Sequence, residues 1–148
     1  MKRVMFGNIK LPAKIEHLDG ILQFVKNCAR DEGFSRQRIS NIELATEEAL
    51  ANVCRYAYSG DCGDIEIRCR TDDDRRLIID IVDAGKPFNM LTLAEPDLTA
   101  DISKRELGGL GVLLIRKMVD GIQYSRKDNK NILTFILSNR EKRDMSHS

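Results

Sequence analysis

The sequence predicts an α+β fold in which helices pack on one face of a mostly antiparallel sheet. Segments with a period of two, typical of strands, alternate with segments whose apolar residues recur every three or four positions, typical of helices. Their order is strand, two helices, two strands, helix and two strands. The 148 residues are enough for one sizeable core. We expect a single domain over residues 1–140 and a charged tail over 141–148.

Composition narrows the classes of function. The chain has 24 Lys+Arg against 23 Asp+Glu, 5% aromatic residues and no Trp, so we expect no direct binding of nucleic acid. Apolar runs are too short for a membrane span or a signal peptide, which predicts a cytoplasmic protein without membrane attachment. The four cysteines form no C-x-x-C pair, so we expect reduced thiols rather than a zinc site.

The first part of the chain is predicted to form one strand and two helices. A strand covers Val4 to Leu11, and Pro12 suits the opening turn of a helix that ends at Gly33. Ser35 is the expected N-cap of a second helix over about 36–58. The two apolar helix faces consist of Ile15, Leu18, Leu22, Val25 and Ala29, and of Ile39, Ile42, Ala45, Ala49 and Val53.

The rest of the chain is predicted to form four strands and one helix. Alternation from Asp64 indicates a half-buried strand, and the almost wholly apolar segment 77–82 indicates a more central one. Residues 86–107 have no clear period and form a candidate lid. The third helix opens at Gly108 and continues to about Asp120. The last two strands are expected at 122–126 and 131–137.

Two polar residues lie on one face of the second predicted helix. Glu48 and Asn52 are four residues apart, so their side chains project together and could meet a ligand or its metal ion. Taken alone, the pair is more typical of a solvated Glu beside an Asn in a helix interior. However, Asn is a poor helix former, and its position inside a long helix suggests a further reason.

Asp83 is a candidate binding residue at the end of the central strand. It lies two residues before Gly85, close to the core, where a carboxylate needs a donor such as an adenine amino group. An Asp-x-Gly sequence is also a common turn at a strand end. Asp80 in the same strand is a competing candidate.

The glycine-rich segment 108–111 lies at the predicted start of the third helix. There, backbone N–H groups and the helix dipole favour a phosphate. A lid hinge would also need glycine, and the two interpretations are compatible. The segment matches neither the P-loop nor the dinucleotide-binding pattern.

Four segments in this order resemble the Bergerat-fold (GHKL) ATP-binding superfamily, which includes histidine-kinase catalytic domains. Within it, the chain resembles the RsbW-type anti-sigma-factor serine kinases. The segments are 43–52, 83–88, 108–112 and 131–134, and the resemblance covers nearly the whole chain. The family often has a histidine shortly after the asparagine, where this chain has Tyr56.

The resemblance implies ATP and Mg²⁺ as cofactors and a role for each motif. In the family, a glutamate is the general base, an asparagine holds Mg²⁺, an aspartate recognises adenine, glycines border the phosphates and a threonine lies near the aspartate. By resemblance these roles fall on Glu48 as base, Asn52 for the metal, Asp83 with Gly85 for adenine, Gly109, Leu110 and Gly111 for phosphate, and Thr134. One amide oxygen suffices for Mg²⁺, which otherwise takes phosphate oxygens and waters.

The resemblance also implies a function. It predicts a serine/threonine kinase that phosphorylates a STAS-type anti-anti-sigma protein, sequesters a sigma factor when free of that protein, and forms a homodimer. The alternative is a non-catalytic module in which nucleotide orders residues 86–107 and alters a partner surface. A third and less favoured alternative is the catalytic part of a histidine kinase.

Overall fold

In the part of the chain that the structure describes, three α-helices pack on one face of a five-stranded antiparallel sheet, which confirms the predicted fold class. The computed structural model describes residues 4–58, 63–93 and 107–139. Its elements are β1 Val4–Pro12, α1 Ile15–Asp31, α2 Arg36–Asn52, a π-helical turn Val53–Ala57, β2 Asp64–Thr71, β3 Leu77–Asp83, a 3-10 turn Met90–Thr92, α3 Leu107–Met118, β4 Gly121–Lys127 and β5 Lys130–Leu137. The strand order is β1-β2-β3-β5-β4.

The central strand β3 decides which polar residues can reach the helices. All seven of its residues are buried. Ile79 and Ile81 belong to the core shared with the helices. Because side chains alternate between the two faces of a strand, Asp83 shares their face and Asp80 lies on the other. Across the sheet, Asp83 pairs with Asn131 in β5.

The helices bury the apolar faces predicted from their spacing. The buried residues include Leu22, Val25 and Ala29 of α1, and Ile42, Ala45 and Ala49 of α2. The predicted cap of α2 is confirmed, because Ser35 Oγ accepts a hydrogen bond from the backbone N–H of Arg38 at 3.2 Å. Gly33 has φ +82°, a conformation that favours glycine, and follows the end of α1.

Two helix boundaries differ from the prediction by three residues or more. Pro12 does not open α1; it ends β1 opposite Asp64, and α1 begins at Ile15. An edge strand tolerates proline, which lacks the N–H that a central strand needs for pairing. Likewise, α2 ends at Asn52 and continues as the π-helical turn. Most of the candidate lid, residues 94–106, and the charged tail lie outside the described residues.

None of the cysteines that the structure describes forms a disulfide. Cys28 and Cys69 are buried, and Cys54 is partly buried. Cys28 and Cys69 interact across the contact between α1 and β2, and this hydrogen bond is the main cause that raises the pKa of the Cys69 thiol. In the same part of the chain, no helix has the length and apolar character to cross a membrane.

Candidate functional site

The predicted base, metal ligand and one phosphate-site glycine come together where α2 packs against α3. A Cβ placed on Gly111 would lie 2.7 Å from Glu48 Oε2 and 3.5 Å from Asn52 Nδ2. The backbone of α3 therefore passes directly against both side chains, and glycine leaves room for the Glu48 carboxylate. The Asn52 amide is held by a 3.1 Å hydrogen bond from its Nδ2 to the backbone carbonyl of Glu48.

Within the described part of the chain, the buried side chain of Asn52 is hydrogen-bonded through its nitrogen only. Asn52 is only 2% exposed, yet its Oδ1 has no hydrogen-bond partner among residues 4–58, 63–93 and 107–139. A buried polar atom left in this state costs about 1–3 kcal/mol, so a bound group would relieve it. This oxygen fits Mg²⁺, which prefers oxygen ligands and retains several waters.

Asp83 lies at the end of β3, and among the described residues only one of its two carboxylate oxygens is hydrogen-bonded. It is 4% exposed. Its Oδ1 accepts hydrogen bonds from Asn131 Nδ2 and from the backbone N–H of Gly85, both at 2.9 Å. Its Oδ2 has no such partner in the described part of the chain. Burial raises the pKa of the Asp83 carboxyl, and the two hydrogen bonds and the charge of Arg126 oppose that effect.

Residues 84–88, here called the 84–88 loop, pack closely on the π-helical turn. A Cβ on Gly85 would lie 2.5 Å from the backbone oxygen of Ala57. That same oxygen accepts a hydrogen bond from the backbone N–H of Lys86 at 3.0 Å. Because the turn directly follows Asn52, it joins the predicted metal end of the site to the predicted adenine end. Turns of this kind inside helices are frequent at functional sites.

Tyr56, at the position of the family histidine, contacts the same loop. Its ring stacks on Phe88 with centroids 4.9 Å apart. The guanidinium of Arg55 lies 5.9 Å from the centre of the Tyr56 ring. Tyr56 therefore joins the π-helical turn, of which it is part, to the 84–88 loop. This contact is a packing contact and does not require a side chain that transfers protons.

The structure does not bring Thr134 to Asp83, which corrects the position implied by the resemblance. Thr134 pairs with Asp80 in the sheet and donates its hydroxyl to Asp80 Oδ1 at 2.7 Å. Both residues are on the face that points away from the helices, because three positions along a strand reverse the face. Asp80 also receives a hydrogen bond from Arg70 at 3.3 Å. With both oxygens engaged, Asp80 is not a competing adenine ligand.

Gly109 and Leu110 lie in the first turn of α3. The first four N–H groups of a helix have no partner within it, and the helix dipole makes this end attractive to anions. Gly111, in the following position, places this turn beside Asn52. Their predicted part in phosphate binding is compatible with this arrangement and stays a prediction.

Two residues of the site are not among those predicted from the sequence. Asn131 donates to Asp83, and Tyr124 in turn donates its hydroxyl to Asn131 Oδ1. The sequence does contain an indication for Asn131, because positions 131, 133 and 135 of a strand share one face. Asn131 is thus a polar residue on the buried face that Leu133 and Phe135 define in β5. Tyr124 has no such indication, because its contact depends on how β4 pairs with β5.

Comparison with known proteins finds a family model and relatives of similar sequence. Residues 11–137 match the family model described as the histidine kinase-like ATPase domain. A serine-protein kinase RsbW of Bacillus cereus (strain AH187) is 31% identical over 137 residues, which is 90% of this chain and 85% of that protein. The RsbW of Bacillus mycoides (strain KBAB4) is 30% identical over 129 residues, 84% of this chain and 80% of that protein. The resemblance stated from the sequence motifs is thus confirmed.

Two solved structures share the fold. The crystal structure of the SiaB-SiaC complex from Pseudomonas aeruginosa matches with a TM-score of 0.64 and 15% identity, over 90% of this chain and 89% of that chain. The RsbU and RsbW domains of a Mycobacterium tuberculosis protein match with a TM-score of 0.59 and 13% identity, over 88% of this chain. This chain spans 32% of the length of that longer one. At these identities, the likeness bears on the fold alone.

Proposed function

We propose that this chain, which belongs to the histidine kinase-like ATPase domain family, is an ATP-dependent serine-protein kinase. One observation carries the proposal: Glu48 and Asn52 converge on Gly111 in the first half of α3. This brings a carboxylate, a buried amide oxygen and a helix N-terminus into one place. Such groups suit phosphoryl transfer, in which catalysis depends mainly on positioning the reactants and on neutralising charge.

The adenine end of the site is formed by Asp83 and the 84–88 loop. The Oδ2 of Asp83 accepts a hydrogen bond from the exocyclic amine of adenine. The two donors on Oδ1, Gly85 and Asn131, keep that second oxygen pointing away from them. The absence of a side chain at Gly85 lets the loop lie against Ala57, which fixes its distance from the π-helical turn.

The phosphate end is formed by α3 and Asn52. We assign the phosphates to the first turn of α3, whose N–H groups have no partner within the helix. Gly109 and Leu110 lie in this turn, and Gly111 follows it directly. The Oδ1 of Asn52 would hold Mg²⁺, which neutralises phosphate charge when it is bound. The hydrogen bond from Asn52 Nδ2 to the backbone carbonyl of Glu48 engages the amide nitrogen, so Oδ1 is the atom of this side chain that we assign to the metal.

Glu48 is the proposed general base. It is half-buried, and within the described residues its carboxylate makes no salt bridge. It is therefore free to accept the proton of a serine hydroxyl as that oxygen attacks the γ-phosphate. Its contact with Gly111 places it within reach of a phosphate bound at the start of α3.

The relatives named serine-protein kinase support a protein substrate with a reactive serine. We propose that the substrate is a STAS-type anti-anti-sigma protein. We also propose that the unoccupied kinase sequesters a sigma factor, that two copies form a homodimer, and that the protein acts in the cytoplasm, where ATP is available.

Replacement of Glu48 tests the kinase assignment. Glu48→Gln should bind Mg-ATP as the wild type does but lose transfer of labelled γ-phosphate to a purified STAS-domain partner. Glu47→Gln is the matched control, because Glu47 is its exposed neighbour on α2 and should keep full activity. A wild-type rate in Glu48→Gln would contradict the role of Glu48. If the wild-type chain binds nucleotide and changes its partner affinity without any transfer, the non-catalytic alternative is correct.

A further inference from the structure

We infer that Tyr124 and Asn131 are positioning residues that set the preference of this site for a 6-aminopurine, a role that rests on the proposed function. Neither has to touch the nucleotide. They act by holding Asp83 and the 84–88 loop in one arrangement, in which a single carboxylate oxygen is left for the base.

The side chain of Asn131 has no bonding capacity to spare. It is 3% exposed. Its Nδ2 donates to Asp83 Oδ1 at 2.9 Å and to the backbone oxygen of Lys86 at 2.8 Å. Its Oδ1 accepts from the backbone N–H of Phe88 at 3.1 Å and from the Tyr124 hydroxyl. An amide has two donor hydrogens and two acceptor lone pairs, and all four are used.

This set of partners fixes which way the amide faces. The N–H of Phe88 can only donate, so the amide oxygen must point toward it, and the Tyr124 hydroxyl donates to the same oxygen. The NH₂ group then points toward Asp83. Tyr124 reaches Asn131 because it pairs with Leu133 in β5, which places the two side chains diagonally on one face.

The orientation of Asn131 has a consequence for the base. Because Asp83 Oδ1 receives two donors, its Oδ2 is the acceptor that remains for a ligand. Adenine offers an amine there, whereas hypoxanthine offers a carbonyl oxygen, which has no hydrogen to donate. Sites built around a buried hydrogen-bonding group reject analogues that lack the matching group. Without the hydrogen bond from Asn131, the Asp83 carboxylate could rotate and Oδ2 would no longer stay aligned with the adenine amine. The difference in affinity between adenine and hypoxanthine nucleotides would then shrink.

Calorimetric titration of the full chain with ADP and with IDP, each with Mg²⁺, tests this inference. The readout is the ratio of the two affinities in the wild type, Tyr124→Phe, Asn131→Ala and Asn139→Ala. Asn139 is the matched control: its Nδ2 donates to the backbone oxygen of Glu32 at 2.7 Å, at the end of α1. We expect the ADP preference to fall about three- to tenfold in Tyr124→Phe and further in Asn131→Ala, as for the loss of one or more hydrogen bonds. Asn139→Ala should keep the wild-type ratio.

The outcomes separate this inference from the proposed function. A wild-type ADP preference in both Tyr124→Phe and Asn131→Ala, even with lowered melting points, would show a merely structural role and overturn the inference alone. Failure of the wild type to bind ADP would overturn the proposed function and the inference with it. If Asn131→Ala does not fold, Tyr124→Phe decides the question, because it keeps the aromatic ring and removes only the hydroxyl.

Discussion

Replacing Gly85 with alanine is predicted to destabilise the fold and to weaken nucleotide binding at the same time. The new Cβ would lie 2.5 Å from the backbone oxygen of Ala57, 2.7 Å from its carbonyl carbon and 2.9 Å from its Cβ. None of these atoms can rotate away, so the 84–88 loop or the π-helical turn must move. Overpacking of this kind costs about 1–3 kcal/mol, which lowers the melting point of a chain of this size by about 2–12 °C.

The same movement affects the adenine end of the site. It displaces the N–H of Gly85 from Asp83 and the N–H of Lys86 from Ala57. Melting curves with and without Mg-ADP measure both effects. Gly20→Ala is the matched control, because its Cβ would meet only Leu11 Cδ1 at an ordinary 3.7 Å. In a helix interior this change should stabilise the protein by about 0.5–1 kcal/mol and leave the shift with Mg-ADP unchanged.

One result would refute this reasoning. If Gly85→Ala melts at or above the wild-type temperature and gains the same stability from Mg-ADP, then the 84–88 loop does not need its close approach to Ala57. The contact between the two halves of the site would then be dispensable for binding.

Two further predictions concern Gly111 and Asp83. Gly111→Ala places a Cβ 2.7 Å from Glu48 Oε2, which is the mobile end of a side chain, so the melting point should change little. Transfer of phosphate to the partner should fall by up to about 100-fold, because the carboxylate is displaced. Equal transfer rates in the variant and the wild type would contradict the position given to Glu48. Burial raises the pKa of the Asp83 carboxyl in the folded state above its unfolded value of about 3.9. The folded protein therefore loses stability as the pH rises from the unfolded-state pKa to the folded-state pKa, because the buried carboxyl must give up its proton. Urea unfolding at several pH values should therefore show the unliganded Asp83→Asn variant gaining stability relative to the wild type from about pH 4 upward, and a difference independent of pH would argue against a buried, destabilising carboxylate.

Most of the fold is predictable because period-two and period-3.6 patterns are local. They locate every strand to within about two residues, and β3 reads as central because its run is apolar throughout. The π-helical turn is not visible in this way, since a few residues with wider hydrogen bonding do not alter the apolar spacing. The prediction for Pro12 is wrong for a related reason, because proline suits both the start of a helix and the end of an edge strand. Only the pairing of β1 with β2 shows that Pro12 belongs to the strand.

The features of the site likewise fall into those that local sequence patterns predict and those that depend on tertiary packing. Helical spacing alone places Glu48 beside Asn52, and Asp83 is marked by its position after a buried strand. Their contact with Gly111 depends on how α3 packs against α2, which no local pattern encodes. The register of β5 is likewise tertiary: it puts Asn131 opposite Asp83 and moves Thr134 to Asp80 on the other face.

The most direct test of the proposed ATP site compares the stabilisation by Mg-ATP in the wild type, Asp83→Asn and Asp80→Asn. The two variants make the same chemical change three positions apart, on opposite faces of β3. At a ligand concentration of about 100 times Kd, the wild type should gain about 2.7 kcal/mol, or about 5–11 °C in melting point. We expect Asp83→Asn to lose this shift and Asp80→Asn to keep it, even if its own melting point falls. A shift retained in Asp83→Asn, or absent from the wild type, would contradict an adenine site at Asp83.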